Sequence, residues 1–235
     1  MRRGRNYAII CAMRLEVKGL VKIFPAPPLS GARPVRALAG VDLLAGAGVT
    51  GIGGANGSGK TTLFRTLAGV LEPDGGSITA DGEPAPADRL RALSALCPSN
   101  PRTFYYRLSA AENLRFFGAL AGLGAEESRA RARSLAERLG LSSADLERRF
   151  DRLSEGNMQK VSLIRAFSRR ARLLLLDEPF RGLDGNACRG LLDLVAEAGR
   201  SSAVVITSHH RDLLAAAAPR TLRMDNGRIT GGDRP

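Results

Sequence analysis

Residues Arg14–Leu20 (RLEVKGL) alternate polar and apolar positions, the period-two pattern of a half-buried strand. Residues 21–34 carry Pro25, Pro27, Pro28 and Pro34 and read as a loop, so a short β region is expected to open the fold. The uncharged segment Val49–Ile52 runs directly into GGANGSGKTTLFRTLAGV, a succession of strand, glycine-rich turn and helix. Asp74-Gly75-Gly76 and Asp81-Gly82 frame a short strand over Ser77–Ala80. From about 100 to 170 the pattern changes to amphipathic helices. These cover Ala110–Leu123, with Leu114, Phe117 and Leu120 at helical spacing, then Glu126–Leu141 and Glu155–Arg170. Strands return at Leu173–Leu176 and Ala203–Thr207, nearly all apolar, as strands covered on both faces are. A helix over Asn186–Ala198 lies between them, and that alternation predicts a parallel, helix-covered sheet. Short strands around Asp225-Asn226-Gly227 close the pattern, and no internal repeat or coiled coil interrupts it.

Composition bounds the reading without changing it. The chain has 235 residues, 44% hydrophobic and 25% charged, enough for one domain with a full core. No apolar run approaches the roughly 18–20 residues of a spanning helix. Lys and Arg number 35 against 23 Asp and Glu, for a net charge of +12, and four of the cations are lysine. That balance suits an anionic partner, whether nucleic acid, an acidic membrane face or a phosphorylated ligand; a solvated basic face is the plainer account. Cys11, Cys97 and Cys188 show neither CxxC spacing nor a disulfide framework and are expected to be reduced, small apolar residues. The opening MRRGR and the apolar stretch Tyr7–Met13 are too short, with Arg14 following, for an export signal. A patterned strand begins directly after Met13, so Met13 is expected to be the biological start, residues 1–12 a non-native or disordered extension, and 13–235 a single domain.

The candidate chemistry lies at two strand ends. Gly54-Ala55-Asn56-Gly57-Ser58-Gly59-Lys60-Thr61 matches GxxxxGK(S/T) between a strand-like segment and a helix, the context that motif requires, and Thr62 follows it. Its glycines let backbone N–H groups turn toward phosphates, and the helix N-terminus adds partial positive charge. Lys60 would neutralise β/γ oxygens, and the Thr61 hydroxyl would ligate Mg²⁺. Leu173–Leu176 then delivers Asp177 and Glu178 to the carboxyl edge of a buried strand, where ligands of parallel sheets bind. Asp177 is expected in the Mg²⁺ shell and Glu178 beside the γ-phosphate, orienting or deprotonating the attacking water.

Phe24, the phosphate loop, LSEGN at 153–157, LLLLDEP at 173–179, GLD at 182–184 and TSHH at 207–210 follow one another as in ATP-binding cassette proteins. The chain resembles the ATP-binding subunit of an ABC transporter over nearly its whole length from Met13. The stretch RTFYYRLSAAENLRFFGAL is similar to subunits that serve ABC-2 export permeases. The resemblance implies an α/β fold: a P-loop NTPase core of mostly parallel sheet covered by helices, an N-terminal antiparallel β region and an inserted α-helical subdomain. It implies that Phe24 stacks on adenine, or is simply a core residue. Ser154 and Gly156 fall in the signature loop that caps the γ-phosphate of ATP bound to a second subunit. Asp184 matches an aspartate that communicates across that dimer, and His209 a switch histidine that contacts the γ-phosphate.

The partners so implied are a second copy or a related ATPase subunit and an integral-membrane permease, with no specific nucleic acid. Phe104, Tyr105 and Tyr106 are expected near the permease, or else in plain packing. The location implied is cytoplasmic, peripheral on the inner face of the cell membrane. Two positions depart from the family. Ser99 stands where a Gln usually touches Mg²⁺ and the lytic water, and Glu155 replaces a small residue in the signature. A carboxylate beside a triphosphate repels it by about 1 kcal/mol if solvated, unless it points outward or stabilises its own helix, so slow hydrolysis is expected. The rival reading is a soluble ABC-type ATPase acting on nucleic acid or ribosomes, which the charge motivates; a small-molecule P-loop kinase would not need the signature.

Overall fold

The computed structural model describes residues 13–28, 31, 33–100 and 103–233. The expectation for residues 1–12 lies outside them. The chain runs β1 (Leu15–Phe24), β2 (Val35–Ala45), β3 (Gly48–Gly53), α1 (Lys60–Leu67), β4 (Gly75–Ala80), β5 (Glu83–Pro84), α2 (Ala87–Leu93) and β6 (Ser94–Cys97). A helical stretch follows, with α3 (Ala110–Leu120), α4 (Ala125–Arg138), α5 (Ser143–Glu147), a 3-10 turn at Phe150–Arg152 and α6 (Glu155–Ser168). The remainder alternates β7 (Leu173–Leu176), α7 (Gly185–Gly199), β8 (Ala203–Thr207), α8 (Arg211–Ala217), β9 (Arg220–Asp225) and β10 (Arg228–Asp233).

Two sheets form. One is antiparallel, in the order β2-β1-β4-β5; the other is mixed, in the order β10-β9-β3-β8-β7-β6, and only its β10–β9 pair is antiparallel. The six-stranded sheet is the middle layer, and the period-two rule shows it directly. Leu173, Leu175, Ala203 and Val205 pack with the antiparallel sheet and α1, among Leu15, Leu38, Leu63 and Phe64. Their neighbours Leu174, Leu176, Val204 and Ile206 pack with the helices on the other face, among Val161, Ile164, Leu191 and Phe150. Burial on both faces is why β7 and β8 carry no polar alternation.

Three expectations are revised. The opening β region is not short, because β1 continues through Val21–Phe24 before the first proline and pairs with an 11-residue β2. Leu120 does not join the apolar stripe of α3: the helix ends there and the side chain is 70% exposed, whereas Leu114 is buried. Phe104 is a core residue, stacked on Phe150 at 4.6 Å between ring centroids, while Tyr105 and Tyr106 beside it are exposed.

Candidate functional site

The site assembles at the carboxyl ends of β3, β7 and β8, which the parallel register sets side by side. The loop after β3 turns back on itself, with Ser58 N–H donating to Ala55 O at 3.2 Å, and delivers Gly59 as the residue before α1. Gly59 has φ +106°, and a Cβ there would lie 2.5 Å from Ala37 O, so no other residue fits that turn unstrained. Lys60 Nζ is held inside the loop, donating to Gly54 O at 2.7 Å and Ala55 O at 2.9 Å. The β9–β10 turn braces the loop from outside: Gly227 N–H donates to Ser58 O at 2.9 Å, and Gly227 O accepts from Ala39 N–H at 2.8 Å.

Asp177, 2% exposed, ties the three strand ends together. Its Oδ2 accepts from Thr61 Oγ1 at 2.8 Å and its Oδ1 from Thr207 Oγ1 at 2.9 Å. The same Thr207 hydroxyl accepts from the Glu178 N–H at 2.9 Å. Glu178 has φ +51°, an unusual backbone for a long side chain, which turns its carboxylate into the cleft. Its Oε2 accepts from the His209 N–H at 3.1 Å and lies 2.7 Å from His209 Nδ1. Its Oε1 is buried and has no hydrogen-bond partner, as does Ser58 Oγ. Buried polar atoms are nearly always satisfied, so these two mark where a ligand or water belongs.

These groups, Ser58 and Thr207 excepted, line one cleft of about 870 Å³. Of the predicted residues it gathers Gly54, Asn56, Gly57, Gly59, Lys60, Thr61, Thr62, Ser99, Asp177, Glu178 and His209. Phe24 stands at its edge, exposed at the end of β1 and paired in register with Val35, which does line it. Ser154, Gly156 and Asp184 do not line this chain's own cleft. Ser154 caps α6, accepting from Asn157 N–H at 3.2 Å. Asp184 caps α7 through Ala187 N–H at 2.9 Å and pairs with the buried Lys160 at 2.9 Å. That N–H bond, then the ammonium, hold its carboxyl down at about 2. Glu155 does not stand bare: its carboxylate pairs with Arg181 at 2.7 Å. Cys97 is buried and Cys188 partly so; burial pushes the Cys97 thiol up to about 11.

Sequence reasoning gave no role at the site to Thr207, Arg36, Arg181, Asn226 or Gly227. Arg181 stands between two recognised motifs and Asn226-Gly227 in a recognised turn, so position held a signal for those. Thr207 opens the TSHH motif, which marked its place in the chain but not its bonds to Asp177 and Glu178.

A phosphate loop, an Asp–Glu pair and a following His thus converge on one cleft, in the chain order of the cassette proteins. A family model described as "ABC transporter" matches residues 41–181. The chain belongs to the ABC transporter family. It is 34% identical to the lipoprotein-releasing system ATP-binding protein LolD 1 of Caulobacter vibrioides, over 94% of this chain and 96% of that protein. It is 36% identical to the ABC transporter ATP-binding protein NatA of Bacillus subtilis, over 69% of this chain. A third relative, the Fe(3+) ions import ATP-binding protein FbpC of Mesorhizobium japonicum, is 36% identical over 90% of this chain. The chain spans 66% and 58% of the lengths of these last two. Among solved structures, the ATP-binding subunit of an ABC transporter superposes with a TM-score of 0.80 at 27% identity, covering 94% of this chain and 90% of that one. The chain is an ABC ATPase cassette, with the two-sheet, helix-covered fold of its relatives.

Proposed function

We propose that this cassette hydrolyses ATP as one of a pair of subunits and drives a separate membrane-embedded permease from the cytoplasmic face, with export as the direction. The observation that carries the reading is Asp177: one buried carboxylate joins the phosphate loop through Thr61 to the Glu178–His209 pair through Thr207.

Among the described residues no group of three or more His, Cys, Asp or Glu side chains gathers as a metal cage. Mg²⁺ does not need one, since it is commonly held by one or two carboxylates together with substrate phosphates. The Thr61 hydroxyl and Asp177 carboxylate are hard oxygen donors already 2.8 Å apart, and Ser99 adds a third on the same wall. These residues would hold Mg²⁺, which supplies charge neutralisation on the phosphate oxygens.

The protein's own part is positioning. Lys60 leaves the Gly54 and Ala55 carbonyls for the phosphates, and the N–H groups of the loop and of the first turn of α1 serve the same anion. The unpartnered Glu178 Oε1 is the acceptor for a proton of the attacking water. As that water's oxygen bonds to the γ-phosphorus, the bridging bond to the β-phosphate breaks and ADP leaves. His209 grips the other carboxylate oxygen and so fixes which oxygen faces the water. Phe24 offers its ring to adenine. Ser154 and Gly156, which do not line their own cleft, are available to the nucleotide of a second subunit, as is Asp184 to that subunit itself.

No helix among the described residues is long and apolar enough to cross a membrane; the proposal gives the spanning element to a partner. The exposed Tyr105, Tyr106, Phe116 and Leu120 form an aromatic and aliphatic patch suited to such an anchor. Export rests on the similarity of the Arg102–Leu120 stretch to subunits of ABC-2 exporters.

Glu178→Gln tests the site. Turnover is expected to fall by about 10²- to 10⁴-fold, with ATP binding retained. The same variant with ATP and Mg²⁺ should elute as a dimer in gel filtration; elution only as monomer sinks the paired arrangement. Gentle detergent extraction of membranes, followed by mass spectrometry, should recover a stoichiometric multi-span protein. Recovery only from the soluble fraction with nucleic acid attached would overturn the transporter reading.

A further inference from the structure

Arg181 lines the nucleotide cleft and also touches the signature segment. The turn after β7 puts it there, since Arg181 N–H donates to Glu178 O at 3.2 Å, so its side chain leaves from the rim that carries the Glu178 carboxylate. The other charged side chains on that wall are Arg36, Lys60, Asp177 and Glu178. The Arg181 guanidinium points to Glu155, the first residue of α6, with Nη2 to Oε1 at 2.7 Å. The next residues lock the same two segments through the backbone: a Cβ on Gly156 would lie 2.3 Å from Gly182 O.

We propose that Arg181 is a switchable phosphate contact: Glu155 holds it when the cleft lacks a triphosphate, and the terminal phosphate draws it away. This rests on the ATP-binding reading above and deepens it, naming a second cation beside Lys60 that reads the terminal phosphate. The pair is built for exchange. Both side chains are more than half exposed, and one nitrogen meets one oxygen rather than a two-pronged fork, so little holds it against a more highly charged competitor. Glu155, once released, keeps partial compensation, because it lies in the first turn of α6, at the positive end of the helix. The charge on the nucleotide is thereby reported, within one chain, to the turn that carries Ser154 and Gly156. The Glu155 carboxylate, which alone would repel a triphosphate, becomes the resting partner of the group that attracts it.

The test is titration of the full chain with ATP and with ADP, each with Mg²⁺, read by displacement of a fluorescent nucleotide. Arg181→Gln is expected to weaken ATP binding about tenfold and ADP binding less than about twofold. Arg181→Lys should keep part of the preference for ATP. Glu155→Gln should tighten ATP about threefold, and that gain should vanish in the Arg181→Gln background. An unchanged ATP-to-ADP ratio in Arg181→Gln, or an equal loss for both nucleotides, overturns the proposal. If Arg181→Gln does not fold, judged by its unfolding midpoint without nucleotide, Glu155→Gln decides alone: no gain for ATP over ADP overturns it. A wild-type chain that binds neither nucleotide instead overturns the proposed function.

Discussion

Thr207 holds the centre of the cleft with a single hydroxyl. It donates to Asp177 and accepts from the Glu178 backbone, so it fixes the direction of one carboxylate and the backbone of the next. Thr207→Val keeps the shape but strips one bond from the buried Asp177 carboxylate and one from the partly buried Glu178 N–H. It is expected to cost about 1–3 kcal/mol of stability, measured by urea unfolding, and to lower ATP turnover while leaving nucleotide binding largely intact. Thr207→Ser should restore most of both. Lys60, Thr61, Asp177, Glu178 and His209 were legible because their motifs are short and local. The role of Thr207 was not, although it opens the TSHH motif, since its partners lie 30 and 29 residues upstream.

Among the elements, the loop before α3 depends on one buried side chain. Asn113 Oδ1 accepts from Tyr105 N–H at 2.8 Å, and its Nδ2 donates to Tyr105 O and Ser109 O at 3.0 Å each. These bonds present Tyr105 and Tyr106 outward while Phe104 turns in. Asn113→Leu leaves Tyr105 N–H unpaired, while Tyr105 O and Ser109 O keep only the bonds from Leu108 N–H and Asn113 N–H, and is expected to cost about 1–3 kcal/mol, with the 103–109 amides losing hydrogen-exchange protection before the sheet does. Unchanged protection there would show that the loop is held by its aromatic packing. Gly156→Ala is the matching change at the signature, where the added methyl meets Gly182 O. The start of α6 and the 182 turn must then part, and turnover should fall well before the unfolding midpoint does. The helices α3, α4, α6 and α7 were readable from their periodicity, and Ser109, with Glu112 three residues on, makes a full capping box. β6 and α2 were not, because seven residues are too few to show a helical period and Ser94–Cys97 lacks the all-apolar run that marked β7.

For the whole molecule, acid is the informative perturbation. Asp74, Asp81, Glu112 and Asp184 all sit below the usual carboxylate range, each chiefly through a backbone N–H: Ile23, Arg14, Ser109 and Ala187 respectively. A lowered folded value means stability that is fully present above the unfolded value, near about 4, and lost as pH falls through the folded one. The urea midpoint should therefore hold steady from about pH 7 to 5 and drop between about pH 4 and 2, where Asp184 titrates. Asp184→Asn should lower the plateau and flatten part of that drop; an acid limb identical to wild type would show that the Lys160 and Ala187 contacts do not stabilise the folded chain.

The sequence by itself determined what depends on neighbours along the chain. That covers the phosphate loop between strand and helix, the doubly buried strands β7 and β8, the long helices, and the order of motifs that marks the family. Each of these is a local period or a short spacing, and its physics acts within a few residues. The tertiary structure decided what depends on neighbours across the chain. It placed Thr207 under Asp177, set Gly227 against the phosphate loop, gave the N-terminal sheet its length and its place over the middle layer, and paired Glu155 with Arg181. Hydrogen bonds and ion pairs formed between distant segments depend on how strands stack and where loops return, and a one-dimensional pattern carries no record of either.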